Sequence, residues 1–289
     1  MNTKLVTVAL WIAAFLLTVL LAVFQRTTGP SYPLRGEASG AGVEPFRYAL
    51  PRSHGGPGGL EVDLEVPAGV AGGVLEWRRY PTDDPWTAEV MSRGADGRLR
   101  AEVPHQPPAG KVEYRLLLAA GDGATLAVPA GEPPVARFRA DVPAGVLIPH
   151  ILAMFSSMLL ATGALLEALR SSTPDPRRTV VLAMGLLVVG GLFLGPVVQK
   201  HAFDAYWTGW PLGHDLTDNK TLVAFLAWLP ATILALTGRR LRAAVVIGWV
   251  VMMGIFLIPH SLRGSERDWE AGEIKTGAAV VTGVGPRAA

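Results

Sequence analysis

The sequence predicts an α-helical membrane protein with five transmembrane helices and a separate all-β domain. Half of its 289 residues are hydrophobic and only 17% are charged, whereas about 25% of the residues of a typical soluble domain are charged. The apolar residues are concentrated in long runs, while residues 27–142 show the short alternating runs of β-strands. Because the chain has no cysteine, a disulfide scaffold, a thiol redox enzyme, an iron–sulfur protein and covalently attached c-type haem are excluded. The net charge of +2 gives no reason to expect nucleic acid as a partner.

Five runs without a charged residue define the predicted spans, and they cover residues 5–24, 144–166, 180–198, 222–236 and 243–258. A helix rises about 1.5 Å per residue and therefore needs roughly 20 residues to cross the ~30 Å hydrocarbon layer. The first three runs meet this length, and the last two lie nearer its lower limit. Since lipid offers no partner to backbone polar groups, each span is expected to be helical.

Arginines in the short connections predict the orientation of the spans. Three arginines follow the second run and three precede the fifth; they are Arg170, Arg177, Arg178, Arg239, Arg240 and Arg242. Positively charged connections of this length stay in the cytoplasm. The N-terminus is then cytoplasmic, and residues 27–142, the loop 199–221 and the C-terminus lie outside. The first run lacks a small-x-small cleavage site, so it is predicted to remain as an uncleaved anchor.

These spans divide the chain into four parts. Residues 1–26 form an anchor helix, residues 27–142 the outer β domain, residues 143–260 a four-helix membrane domain, and residues 261–289 an outer tail. The lipid bilayer is thus the first predicted partner. The tail is expected to be either solvated or folded over the outer face, where Glu266 or Asp268 would orient a ligating histidine.

Seven short runs in the outer domain predict β-strands, at residues 46–50, 60–66, 74–80, 86–91, 98–103, 111–119 and 135–140. Within residues 112–116 the apolar side chains occupy every second position, as in a strand with one buried face. Seven strands in about 115 residues fit a β-sandwich. Residues 86–114 resemble the later strands of immunoglobulin-like and fibronectin type III-like domains of bacterial envelope proteins, a resemblance that implies fold only.

All six histidines fall on the outer side of this topology, and four of them lie at the membrane boundary. His150 and His260 each end a Leu-Ile-Pro-His tetrapeptide at the outer end of a span. The loop between the third and fourth spans adds two histidines, two tryptophans and an aspartate, namely His201, His214, Trp207, Trp210 and Asp215. Ionisable groups at membrane depth are costly unless they are paired or functional.

Together these residues predict a cofactor or metal site at the outer face. Neutral imidazole is the commonest metal ligand, and two histidines can hold haem b without cysteine. The four histidines with the two tryptophans are the candidate haem-binding residues, and the same histidines with Asp215 are the candidate ligands of a transition metal. Because the histidines are far apart in sequence, their spacing does not distinguish haem from copper or zinc. Plainer alternatives stay open: Asp218 or Asp215 as a helix N-cap, and Tyr206 with the two tryptophans as interfacial aromatics.

Residues 206–229 resemble the tryptophan-rich WWD segment of the haem-handling proteins of cytochrome c assembly. The resemblance rests on Tyr206-Trp207-x-x-Trp210-Pro211, Asp215, Asn219-Lys220-Thr221-Leu222 and Trp228-Leu229. That family places the segment between two membrane helices, flanked by outer histidines that ligate haem, a role that the resemblance implies here for His150 and His260. As a whole, the chain resembles an uncharacterised family of bacterial inner-membrane proteins with one anchor, a sandwich domain and a four-helix membrane part. This implies a location in the bacterial inner membrane.

The leading hypothesis is therefore a membrane protein that binds haem b or a metal at its outer face, for electron transfer or cofactor handling. A non-catalytic envelope protein, whose sandwich domain contacts other membrane or periplasmic proteins, is the alternative. A weaker third hypothesis is a membrane enzyme that uses Asp204, Asp215 or Asp218 with histidine as acid–base pairs. The sequence has no Gly-x-Ser-x-Gly elbow, His-Glu-x-x-His motif, dinucleotide fingerprint or kinase signature, which disfavours those enzyme classes.

Overall fold

The structure, a computed structural model, describes residues 3–40, 42–121, 123–170, 175–259, 264 and 266–275. The chain divides into two compact units. The helical unit contains the residues up to Gly29 together with Val142–Ser265, and the β unit contains Pro30–Asp141 and Glu266–Ile274. The candidate ligand His260 and the tail beyond residue 275 lie outside the described residues.

The helices are α1 (Thr3–Thr28), α2 (Ala144–Leu169), α3 (Arg177–Leu187), α4 (Gly195–Phe203), α5 (Leu216–Leu236) and α6 (Arg242–Leu257). A π-helical segment, Val188–Leu194, joins α3 to α4, so that these form one continuous helix, Arg177–Phe203. Among the described residues, four helices are long and apolar enough to cross a membrane: α1, α2, this continuous helix and α5. Helix α6 is apolar but has only 16 residues.

The long helices extend beyond the apolar runs that predict them. Helix α5 begins at Leu216, six residues before the predicted run, because the carboxylate of Asp215 accepts hydrogen bonds from the first free backbone N–H groups of the helix. An apolar run in the sequence ends at the first charged residue. A helix ends where its terminal backbone N–H and C=O groups bond to partners outside the helix. The helices therefore carry polar residues at their ends, inside the helical structure.

Two tryptophans tie the helices of the helical unit together by hydrogen bonds. The indole Nε1 of the fully buried Trp228 on α5 donates to the carbonyl of Val180 on α3 at 3.1 Å. On α6, Nε1 of Trp249 donates to the hydroxyl of Thr162 on α2 at 3.0 Å. Because a buried indole N–H needs an acceptor, these bonds link α5 to α3 and α6 to α2.

Helix α1 belongs to the same packed unit. The ring of Trp11 lies against Gly163 of α2, in space that a side chain at residue 163 would fill. Further along α1, Nε2 of Gln25 donates to the carbonyl of Phe256 on α6 at 2.8 Å. Many of the other large side chains of α1 are exposed and apolar, as expected for a helix that faces lipid.

The strands are β1 (Leu34–Gly40), β2 (Val43–Leu50), β3 (Ser53–Gly55), β4 (Leu60–Leu64), β5 (Val70–Tyr80), β6 (Thr87–Val90), β7 (Ser92–Arg93), β8 (Leu99–Val103), β9 (Lys111–Ala120), β10 (Thr125–Val128), β11 (Val135–Arg139), β12 (Glu266–Arg267) and β13 (Ile274–Lys275). The largest sheet has the order β3–β11–β9–β5–β6, with β10 paired to β9. The other sheets are β4–β8–β7, β1–β2 and β12–β13. All seven runs predicted from the sequence coincide with strands of these separate sheets.

The core of the β unit follows the alternation along β9. The side chains of Val112, Tyr114, Leu116 and Leu118 are fully buried, and those between them are partly exposed. The hydroxyl of Tyr114 donates to the carbonyl of Pro51 at 2.7 Å. Burial raises the pKa of Tyr114 well above its ordinary value, because the interior disfavours the phenolate.

The short β12–β13 segment packs on the β unit. Glu266 forms an ion pair with Lys111 at the start of β9. The indole Nε1 of Trp269 donates to the carbonyl of Tyr80 at 3.1 Å, and the guanidinium of Arg79 stacks on its ring at 5.1 Å. This part of the predicted tail is therefore attached to the β unit through a tryptophan and an ion pair.

Candidate functional site

His150 lies in the second turn of α2, directly after Pro149, and contacts the π-helical segment. Its Nδ1 is 2.8 Å from the carbonyl oxygen of Gly190, which also accepts the N–H of Gly195. A carbonyl only accepts hydrogen bonds, so Nδ1 carries the proton and Nε2 keeps its lone pair. The ring is half-buried, and its hydrogen bond holds it in one orientation.

The π-helical segment has a physical cause in the sequence around it. Pro196 lacks an N–H group and therefore cannot donate the backbone bond that an α-helix needs at that position. The preceding N–H, of Gly195, reaches back five residues to Gly190, the pattern of a π-helix. The carbonyl of Gly190 lies close enough to α2 to accept the bond from His150. Such segments are frequent at functional sites.

The other two described candidate histidines are exposed. His201 lies in the last turn of α4, and His214 directly precedes the N-cap of α5. Between them Asp204 ends α4 in the left-handed conformation, and its carboxylate pairs with Lys200 at 2.6 Å. The hydrogen bond from Lys200 lowers the pKa of Asp204 below its ordinary value.

Asp215 and Asp218 are buried: Asp215 caps the N-terminus of α5, and Asp218 holds the loop 204–215 on it. Oδ1 of Asp215 accepts from the backbone N–H of Thr217 at 2.7 Å, which makes it the N-cap. Oδ2 of Asp218 accepts from the N–H and the hydroxyl of Thr208, at 2.6 and 3.2 Å. Carboxylates at a helix N-terminus also interact favourably with the helix dipole.

The loop approaches α5 so closely at Gly209 that no side chain fits there. A Cβ at residue 209 would lie 2.6 Å from the Cβ of Asp218 and 2.9 Å from the side-chain oxygen of Asn219. That same oxygen accepts the backbone N–H of Trp210 at 2.7 Å. The loop is therefore rigidly held by backbone bonds to side chains of the helix beneath it.

The aromatic side chains of this loop have two different environments. The indole Nε1 of Trp207 donates to the backbone carbonyl of Trp210 at 3.0 Å, so Trp207 is part of the loop's own hydrogen bonding. Trp210 and Tyr206 are 64% and 60% exposed. The ammonium of Lys200 lies 5.6 Å from the centre of the Tyr206 ring, whereas the ring of Trp210 is available to a ligand or to the membrane interface.

Lys220 is only 3% exposed, whereas the sequence presents it as a cation free to pair with an anionic group of a cofactor. Its Nζ donates to the carbonyls of Ile258 and Pro259 at 2.7 and 3.2 Å, just after the end of α6. Those two residues precede His260, which lies outside the described residues. The position of Lys220, next to an apolar run and about one turn after a helix N-cap, could have indicated that it is buried. A buried charge at membrane depth requires partners.

The candidate residues are thus brought together only in part. His150 contacts the π-helical segment, Trp207 and Trp210 contact each other, and Asp215 caps α5. Among the residues that the structure describes, no group of three or more histidine, aspartate or glutamate side chains has the arrangement of a metal site. A comparison with models of known protein families and a comparison with curated proteins each find no match to the chain.

Proposed function

We propose that the protein is an integral membrane protein of the bacterial inner membrane, with α6 as a fifth span. The 16 residues of α6 extend about 24 Å at 1.5 Å per residue, close to the ~30 Å hydrocarbon thickness. The guanidinium of Arg177 donates to the carbonyl of Arg239 at 3.1 Å, so the two arginine-bearing connections lie at one end of the helical unit. The positive-inside rule assigns that end to the cytoplasm, which leaves the β unit and the C-terminus outside.

The orientation is tested with reporter fusions in the living cell. A fusion after residue 240 should report the cytoplasm, and a fusion after residue 142 should report the outer compartment. The opposite result at residue 240 would contradict the five-span topology.

We further propose that the outer end of the helical unit binds haem b or a histidine-ligated transition metal, for electron transfer or cofactor handling. The bond between His150 and the carbonyl of Gly190 carries this proposal. Metal-bound histidines almost always donate their other ring N–H to a carbonyl or carboxylate, which fixes the tautomer and the ring orientation. His150 has that bond already, and its Nε2 is left as the ligand atom.

The donor chemistry favours imidazole ligands over carboxylates. Asp215 uses a carboxylate oxygen to cap α5, and Asp218 uses one to hold the loop on α5, so the histidines are the better ligand candidates. His201 and His214 are exposed, and His260 follows the segment held by Lys220. Haem b would supply one-electron redox chemistry at its iron. Nε2 of His150 would be the candidate iron ligand, and the exposed ring of Trp210 the candidate aromatic contact of the porphyrin.

The test uses the full-length protein, expressed with added haem and metals and purified in detergent. A visible spectrum and elemental analysis should find a chromophore or a metal bound to the chain, and H150A should lose it. The matched control is H105A, because Nδ1 of His105 makes the same kind of bond, to the carbonyl of Gly58 at 2.8 Å, in the β unit. Absence of both chromophore and metal, or full occupancy in H150A, would contradict the proposal.

A second candidate function is an envelope interaction protein that uses the β unit. Strand β6 ends the order of the largest sheet, and its Val90 is 83% exposed. A free sheet edge with an exposed apolar side chain is a site where a partner strand can add. Under this function V90K should abolish the recovery of a crosslinked envelope partner, while H150A should leave it unchanged.

A further inference from the structure

One end of the helical unit carries a dense group of arginines, which we call the arginine end. It consists of residues in the α2–α3 and α5–α6 connections and at the helix starts that follow them, namely Arg170, Arg177, Arg178, Arg239, Arg240 and Arg242. Four of them, Arg178, Arg239, Arg240 and Arg242, are exposed. This surface takes no part in the proposed haem or metal site.

Hydrogen bonds hold the two connections together as one surface. The guanidinium of Arg177 donates to the carbonyl of Arg239 at 3.1 Å. That of Arg242 donates to the carbonyl of Leu169, the last residue of α2, at 3.5 Å. The cationic groups of segments more than 60 residues apart are thereby gathered at one place.

The nearby acids do not neutralise this surface. Asp175 pairs with Arg177 at 2.5 Å, and a carboxylate oxygen of Glu167 accepts the hydroxyl of Thr179 at 2.9 Å. Among the described residues, none of the four exposed arginines forms an ion pair with a carboxylate. In addition, Nε of Arg177 is buried and has no acceptor within the described part of the chain, although a buried guanidinium donor normally has one.

We propose that the arginine end binds the phosphate of anionic phospholipid headgroups. Guanidinium groups match phosphate oxygens with paired N–H donors, and basic groups beside membrane helices recognise anionic headgroups. The choice of lipid follows from position, because the arginines directly adjoin the ends of candidate spans. Leu169 and Leu236, at those ends, are exposed and apolar. An anionic lipid fits both the exposed leucines and the arginines, because its acyl chains can lie along the leucines while its phosphate binds the guanidinium groups.

The test measures lipid binding to the full-length protein in neutral detergent by native mass spectrometry. Phosphatidylglycerol and phosphatidylcholine are added at equal concentrations. The wild-type protein should bind phosphatidylglycerol at least about tenfold more tightly, and R239Q/R240Q should lose about tenfold of that affinity. This variant keeps the backbone carbonyl of Arg239 that Arg177 uses. The matched control, R35Q/R47Q, removes two exposed arginines from the β unit and should bind as the wild type does.

Three outcomes would overturn the proposal: equal binding of the two lipids, unchanged affinity in R239Q/R240Q, or an equal loss in R35Q/R47Q. A competition arm distinguishes a lipid from free phosphate. Inorganic phosphate at millimolar concentration should not displace phosphatidylglycerol, and complete displacement would identify a simple anion site instead. Because haem or metal occupancy is not measured here, the result is independent of the proposed outer site.

Discussion

Replacing Lys220 with methionine tests how the outer end of the helical unit is held together. Lys220 is almost fully buried, and its ammonium joins the second turn of α5 to the carbonyls of Ile258 and Pro259 after α6. Methionine keeps the apolar stem of the side chain but removes both hydrogen bonds. Hydrogen bonds to a charged group contribute about 1.5–3 kcal/mol each, and part of this loss is offset because the ammonium no longer has to be buried. We expect a net loss of about 2–3 kcal/mol.

The assay is thermal unfolding of the full-length protein in detergent, followed by intrinsic fluorescence. A loss of this size lowers the apparent Tm by about 5–10 °C for a unit of this size. The matched control is K200M, since Lys200 is a lysine of the same region whose ion pair with Asp204 is exposed. Exposed ion pairs contribute little to stability, so K200M should lower the Tm much less than K220M does. Equal Tm values for the two variants would refute the idea that Lys220 holds α5 to α6.

Three further predictions concern single contacts in each unit. G209A should destabilise the helical unit by about 1–3 kcal/mol, because its new Cβ collides with α5, whereas G254A, with open space around it, should not lower the Tm. The hydrogen bond from Arg100 lowers the pKa of Asp96 to about 2, so its stabilisation is present above the ordinary value of 3.8 and is lost as the pH falls through about 2. D96N should therefore show a weaker decline in Tm between these pH values than the wild type, and an identical decline would contradict this. Y114F should cost about 1 kcal/mol, because it removes a buried hydroxyl that donates to a backbone carbonyl, and an unchanged Tm would exclude that contribution.

Hydrophobic patterns were sufficient to predict most of the secondary structure. The seven alternating runs of residues 27–142 coincide with strands, and the first four apolar runs lie within long helices. These patterns are local, because burial of one face repeats every two residues in a strand and about every 3.6 in a helix. The sequence also offered an N-cap role for Asp218 or Asp215 as an alternative, since an aspartate before an apolar run is a local signal, and the structure gives that role to Asp215. The alternation of apolar and polar residues does not indicate how the strands are distributed among the separate sheets of the β unit.

The candidate site depends on contacts between residues that are distant in sequence. Nothing in the spacing of His150 and Gly190 indicates their bond, which arises because α2 packs against the π-helical segment. The same holds for Lys220 and the end of α6, and for Trp269 and the β unit. Composition and periodicity by themselves determined that the chain forms apolar helices and a β-rich segment, because the pattern of apolar residues within each element sets which of its faces is buried. Only the tertiary structure decided which polar groups meet, because hydrogen-bond partners across a packed interface are selected by how the elements pack and not by their separation along the chain.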